Sequence, residues 1–348
     1  MDRAIPLDLP RFGVRLSQAL EPRRSLELAA AAEANGFASL WFAENPFHRG
    51  IVPVAGACAA MTERIGIGLG VVNFYQHHPT LIAAEFAALD ELAGGRVRLG
   101  IGSGIGQRVL QLGYKWRPLP SLEDAVAIIR PLLRGEAVDH RGTVFSAEGV
   151  SLGFRPPRPD PPIYVASMGD RSLALCGRIA DGLIVSNMCP PRYTERAVGI
   201  VQQSAAEARR KPLDIVQYLP CVVRQDRDEA WSLAKHAVGG MLATFWPTGG
   251  DWPALRDTII ECSGIAKPEV VAVLARLRRG EPADTVLDDR FIAAFAIAGT
   301  TEECLAQAAK YRRAGVAELV LTFGGPQPEA DMAQFAAVLG DNAARPEL

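Results

Sequence analysis

The chain has 348 residues, of which 49% are hydrophobic and 22% charged, and 37 basic against 39 acidic residues leave a formal net charge of −2. That balance argues against a nucleic-acid or anionic-membrane surface, and no apolar run approaches the ~20 residues that span a bilayer. The N-terminal segment lacks a signal-peptide core and the six cysteines show no CxxC or Cys/His cluster, so reduced thiols, no metal site and a cytoplasmic location are expected.

In chain order, Phe12–Leu16 reads as a strand, and Pro22 opens a helix that ends at Asn35-Gly36. Ser39–Glu44 is a second strand, Pro53–Thr62 a helix of small residues, and Ile65–Asn73 a third strand rich in glycine. Pro79–Leu92 is helical, Val97–Gly102 is a fourth strand, and a helix is expected over Leu122–Arg134. Ala137–Leu152 has the pattern of a β-hairpin with its turn at Arg141-Gly142. The alternation resumes with strands at Ile163–Ser167, Gly182–Asn187 and Asp214–Val223, and with helices over Arg171–Ala180, Pro191–Arg210 and Asp228–Gly240. Met241–Asp289 reads as irregular and is too long for a plain loop, so it is expected to be an insertion or lid. Phe291–Ala298 fits an apolar helix or a strand, Thr301–Gly315 is an amphipathic helix, Glu318–Phe323 an eighth strand, and Ala330–Leu339 closes the chain. Eight apolar strands alternating with helices are the pattern of a (β/α)8 barrel, with a doubly wound sheet as the alternative. The count of eight, and the lack of a break in composition between two halves, favour the barrel. Functional groups are then expected at strand C-terminal ends: Glu44, Asn73, Ser103, Ser167 and Asn187.

The turn Gly102-Ser103-Gly104-Ile105-Gly106 leads from the fourth strand into a helical pattern. Such turns gather free N–H groups that attract an anion. The spacing is not the GxGxxG fingerprint, because the third glycine comes one residue early, and no GxxxxGK[ST] is present. Read alone, this is an ordinary strand-to-helix turn.

Four segments in order carry a wider likeness: GVVNFYQHHP (Gly70–Pro79), LDELAGGRVRLGIGSG (Leu89–Gly104), PIYVASMGDRSLALCGRIADGLIVS (Pro162–Ser186) and GTTEECLAQAAKYRRAGVAELVL (Gly299–Leu321). Together they resemble the bacterial luciferase-like monooxygenase superfamily, and within it the deazaflavin branch typified by methylenetetrahydromethanopterin reductases. The resemblance implies one α/β domain over residues 1–348, a TIM-like (β/α)8 barrel with an insertion after the seventh strand at about 241–289. It implies coenzyme F420, or alternatively FMN, at the C-terminal ends of the strands. Gly70-Val71 matches the third-strand bulge behind the flavin ring, where many members hold a non-proline cis peptide. Asn73 matches a group on the polar edge of the ring. Ser103, Gly104 and Ile105 match the fourth-strand turn near the cofactor. Ser167, Met168, Gly169 and Asp170 match the phosphate-holding turn after the fifth strand, where Asp170 suits a phosphate only if it points away and caps its helix. Asn187 lies at the sixth strand end.

Departures from the family pattern bear on chemistry. Deazaflavin-linked alcohol and sugar-phosphate dehydrogenases of this superfamily carry an acid–His pair after the second strand, which here reads Glu44-Asn45, and a Glu where Ile105 stands. An amide and an alkyl chain do not move protons near neutral pH. Glu44 is the candidate acid, with Asn45 beside it and His48 as the candidate replacement imidazole. Arg15 stands where the reductases carry an acid, which argues against their particular substrate. For His77-His78, packing or contact with the cofactor edge is expected rather than metal binding. Asp90 and Arg96 read as a structural pair. Phe245, Trp246 and Trp252 read as a satellite core under the insertion, or else as an apolar substrate wall. The expected function is hydride transfer from reduced F420 to a small, apolar organic substrate by a homodimer. The alternatives are an oxygen-using FMN monooxygenase and a non-catalytic flavin-binding barrel.

Overall fold

The computed structural model describes residues 8–246 and 254–337. Its first elements alternate: β1 (Arg11–Leu16), α1 (Pro22–Ala34), β2 (Ser39–Phe42), α2 (Ile51–Met61), β3 (Gly66–Asn73), α3 (Pro79–Leu92) and β4 (Val97–Gly102). Next come α4 (Gly106–Gln111), α5 (Pro118–Leu133) and a hairpin of β5 (Val138–Arg141) and β6 (Ser146–Val150). The alternation resumes with β7 (Ile163–Ala166), α6 (Asp170–Ile179), β8 (Gly182–Val185), α7 (Pro191–Glu207) and β9 (Asp214–Val223). Five helices follow: α8 (Arg227–Phe245), α9 (Ala254–Ser263), α10 (Lys267–Arg278), α11 (Ala283–Val286) and α12 (Asp289–Phe295). The described chain ends with β10 (Ile297–Gly299), α13 (Thr301–Arg313), β11 (Glu318–Phe323) and α14 (Pro328–Ala336).

The main sheet runs β10-β9-β11-β1-β2-β3-β4-β7-β8, and β9 also pairs with β8. Eight of these nine strands therefore close into the expected (β/α)8 barrel, with β10 an extra strand on β9. Contacts divide the described residues into two compact units, one of Gly13–Ile184 with Ile200–Asp214 and the other of the described residues that remain.

In the first unit the glycine-rich third strand has a packing reason. Trp41 is fully buried, and a Cβ at its register partner Gly68 would lie 2.2 Å from the indole. A Cβ at Gly182 would lie 2.1 Å from the Tyr164 ring, and the two rings meet edge to face at 6.0 Å. Bulky rings thus fill the interior opposite glycines, in place of the usual branched aliphatics. The loops at the opposite end are tied by charge. The Arg96 guanidinium donates to the carbonyls of Ala59, Thr62, Ile65 and Ala93, and so takes up helix-end acceptors of α2 and α3. Arg96 is therefore not the partner of Asp90. Asp90 is buried and takes a two-point contact from Arg158, at 2.7 and 2.9 Å, while also accepting from Val97 N. Arg158 lies 68 residues further on, out of reach of any local pattern.

In the second unit, Met241–Asp289 departs from the expected irregular structure: its described part is helical. The prolines and glycines punctuate helices rather than break them. Pro268 sits in the first turn of α10, Pro282 is the N-cap of α11, and Gly264 and Gly280 close helices with positive φ. Phe291–Ala298 divides into the end of α12 and the start of β10. Trp246 is buried against Phe295, with ring centroids 5.8 Å apart, and Arg256 lies over its indole at 5.1 Å, so it belongs to a satellite core. Trp252 and the Phe245 side chain lie outside the described residues. Five cysteines are buried and Cys262 is half-buried, all as free thiols.

Candidate active site

The C-terminal ends of β2, β3 and β4 build the site. Along β3 the register with β4 passes from Gly70↔Gly100 to Val72↔Ile101, leaving Val71 as an extra residue, and the Gly70–Val71 peptide is cis. The bulged Val71 side chain lies over Gly102, where an added Cβ would stand 3.1 Å from a valine methyl. Glu44 extends from the end of β2 and binds the bulge from both sides. Its N–H donates to Val71 O at 3.1 Å, and its Oε2 accepts from Asn73 N at 2.8 Å.

The other carboxylate oxygen of Glu44 meets His77 Nε2 at 2.7 Å. A tight turn brings His77 back to this point, since the N–H groups of Gln76 and His77 both donate to Asn73 O. The Glu44 side chain is 8% exposed and that of His77 26%. The hydrogen bond to Glu44 holds the imidazole pKa above its ordinary value; burial opposes this, and the charges of Glu44 and Glu85 add to it. His78 plays a separate part as the N-cap of α3, where its side chain accepts from Thr80 N.

Asn73 is buried, and its Oδ1 accepts from Tyr75 N at 2.9 Å. Its Nδ2 occupies the space that a Cβ at Gly104 would need, at 2.4 Å, and Gly104 has φ +62°. Gly104 is thus required both by its backbone and by its neighbour. Ser103 is half-buried and Ile105 is 43% exposed. Ile105 opens an apolar segment that includes Leu110, Leu112, Tyr114 and Trp116, all exposed.

The end of β7 leads through Ser167, Met168 and Gly169 into α6. Ser167 is buried, and its Oγ has no hydrogen-bond partner among the described residues. Gly169 is the N-cap of α6 and has no side chain to take up first-turn N–H groups, while Asp170 is the first helical residue. Asp170 thus follows the N-cap, and its charge lies at the positive end of the helix. Arg171 is exposed. In the other unit, Asn187 Oδ1 is buried and has no partner among the described residues.

Asn45 and His48 stand elsewhere than the sequence suggests. Asn45 Oδ1 accepts from Phe47 N and its carbonyl from His48 N, which makes Asn45 a turn residue, and His48 is exposed. The imidazole beside Glu44 comes from the third-strand loop. Its signal in sequence was a histidine four residues beyond the strand-end Asn73. Among the described residues, no group of three or more His, Cys, Asp or Glu side chains could hold a metal ion, and no helix is long and apolar enough to cross a membrane.

The profile of the luciferase-like monooxygenase family matches residues 5–318. The chain belongs to that family. Among curated luciferase-like relatives, a 5,10-methylenetetrahydromethanopterin reductase of Archaeoglobus fulgidus is 31% identical over 83% of this chain and 86% of its own length. An F420-dependent glucose-6-phosphate dehydrogenase of Beutenbergia cavernae is 30% identical over 93% of this chain and 94% of its own. Among solved structures, the coenzyme F420-dependent tetrahydromethanopterin reductase of Methanopyrus kandleri superposes with a TM-score of 0.84 at 25% identity, over 94% of this chain and 97% of that one. This luciferase-like chain therefore shares its fold over nearly its whole length with an F420-linked reductase.

Proposed function

We propose that this luciferase-like protein is an oxidoreductase that uses reduced coenzyme F420 to transfer hydride to a small organic substrate. The observation that carries the reading is that relatives of different named activity, a dehydrogenase and a reductase, are both described as F420-dependent and match almost end to end. The residues of the chain suit such a group. The buried, unpartnered Ser167 Oγ stands just before a helix start whose N-cap lacks a side chain, a pairing that favours an anionic or hydroxyl-rich tail. The bulge at Val71 would offer a backing surface, with Asn73 and Gly104 in contact with each other at the adjoining strand ends and Ser103 beside Gly104. When bound, the coenzyme supplies the hydride; the protein supplies position and polarity.

The exposed run from Ile105 to Trp116 supports an apolar substrate. Exposed Met61, Leu81 and Leu92 on α2 and α3 support a homodimer, which sedimentation velocity tests directly, and a cytoplasmic location belongs to the same reading. The deciding experiment is titration of the purified protein with F420 and, separately, FMN, followed by tryptophan fluorescence. Micromolar F420 binding with weak FMN binding is expected. The reverse order makes this an oxygen-using flavin enzyme, and binding of neither overturns the assignment.

A further inference from the structure

We propose that His77, held by Glu44, is the proton donor of the reaction, so that the acid–imidazole pair is assembled between the second and third strand ends. The inference rests on the F420 reading above and names the residue that completes its chemistry. Three observations carry it. First, the carboxylate is almost fully enclosed and its two oxygens are divided, one on Asn73 N and one on His77 Nε2. The ring is thereby fixed in orientation, as a buried acid fixes a catalytic imidazole. Second, His77 Nδ1 makes no hydrogen bond with any described residue, while the side chain keeps 26% of its surface open. One nitrogen is committed to holding the ring and the other is available. Third, the pair is built on the bulge itself, because Glu44 is bonded to both Val71 and Asn73.

The charged groups around the imidazole are Glu44 from the end of β2 and Glu85 from α3, both acidic. Both favour the imidazolium, which is the form that can donate. In the proposed step the substrate carries a polarised double bond from carbon to oxygen or nitrogen. Reduced F420, when bound, would supply the hydride for the new C–H bond, and the π electron pair would move onto the heteroatom. The Nδ1–H bond of His77 breaks as the heteroatom–H bond forms, leaving a neutral imidazole that regains its proton from solvent. Substrate gains one hydride and one proton, and the coenzyme is oxidised by two electrons. The exposed His48 and the turn residue Asn45 take no part.

The test uses the full-length protein with isotope-labelled histidine, alongside the variants His77→Gln and Glu44→Gln. Glu44→Gln keeps an acceptor for Asn73 N but removes the charge. The His77 ring resonance is expected to titrate above the ordinary histidine value in wild type and to fall back in Glu44→Gln. It should also shift when F420 is added. Turnover is then followed with reduced F420 and a probe panel of menadione, 2-cyclohexenone and benzaldehyde, using whichever wild type reduces fastest. Both variants should lose at least 100-fold in kcat while F420 affinity stays within about threefold, and the alkaline fall in wild-type kcat should be absent in His77→Gln. Where wild type reduces none of the probes, the resonance measurements alone decide. An unshifted His77 titration, a ring signal unmoved by saturating F420, or full turnover by His77→Gln overturns the proposal. Failure of wild type to bind F420 at all overturns the cofactor reading instead.

Discussion

Replacing Gly104 by Ala puts two separable costs on the chain. Gly104 has φ +62°, where an L-residue pays ~1–2 kcal/mol. Gly94, at the turn after α3, has the same φ of +62° but nothing within 4 Å of an added Cβ. Gly94→Ala therefore reports the backbone cost alone. In Gly104→Ala the new methyl would lie 2.4 Å from Asn73 Nδ2, so the Asn73 side chain must rotate and give up its bond to Tyr75 N. That adds about 1 kcal/mol for the lost hydrogen bond. Urea unfolding followed by tryptophan fluorescence should show a loss of ~1–2 kcal/mol for Gly94→Ala and of ~2–3 kcal/mol for Gly104→Ala. The displaced Asn73 should also weaken F420 binding by about tenfold, or ~1.4 kcal/mol, with Gly94→Ala unaffected. Adding Asn73→Ala to Gly104→Ala should cost less than the sum of the two single changes, because the clash is relieved. Equal losses for the two glycine variants, or full additivity in the cycle, would refute the claim that Gly104 is reserved for the asparagine.

Arg158→Met should cost ~3–5 kcal/mol by leaving the buried Asp90 carboxylate without its cation, and the double variant Asp90→Leu/Arg158→Met should recover most of that loss in the same urea assay. Ser167→Ala removes a hydroxyl with no partner among the described residues, so stability should hold or rise by up to ~1 kcal/mol while F420 affinity falls; unchanged affinity would detach Ser167 from the cofactor. Asp124 bears on acid stability. Burial pushes its carboxyl up, but bonds from Val144 N, His140 and Phe145 N outweigh this and hold it below its ordinary value. A depressed folded pKa contributes stability above the unfolded value, near 4, that is lost as pH falls through the folded one. Asp124→Asn should therefore flatten the drop in urea midpoint between pH 5 and 3, and a slope equal to wild type would show that the hairpin does not depend on this charge.

The fold was legible because its signals are local. Eight apolar runs bounded by Pro and Gly mark the strands, and the hairpin at Val138–Val150 followed from its turn residues. What stayed hidden depends on contacts far apart in sequence. Asp90 finds Arg158 across 68 residues, and nothing in the local pattern separates that partner from Arg96, six positions away. The helical insertion was obscured by composition: glycine and proline density reads as irregular chain, yet at caps and first turns the same residues delimit helices. In the candidate site, Glu44, Asn73 and Ser167 were visible as polar endings of apolar strands. The partner of Glu44 was not, because it depends on how tightly the chain turns after Asn73.

That turn explains how an imidazole reaches this carboxylate even though Asn45 occupies the position next to it. A residue directly after Glu44 shares its backbone direction, and in this chain Asn45 is spent on the turn to Phe47 and His48. The bulge offers another route. An extra residue in β3 shifts the strand end so that Asn73 N reaches Glu44 Oε2, and the Asn73 carbonyl then collects two N–H groups from the following turn. Once Asn73 is anchored to Glu44, the turn returns His77 to the other oxygen of the same carboxylate at 2.7 Å. The single carboxylate thus fixes a strand end with one oxygen and an imidazole with the other. Gly104→Ala displaces the Asn73 side chain and leaves the bond from Asn73 N to Glu44 in place, so the His77 titration should stay at its wild-type position in that variant, and a lowered His77 titration there would show that the asparagine side chain also holds the imidazole.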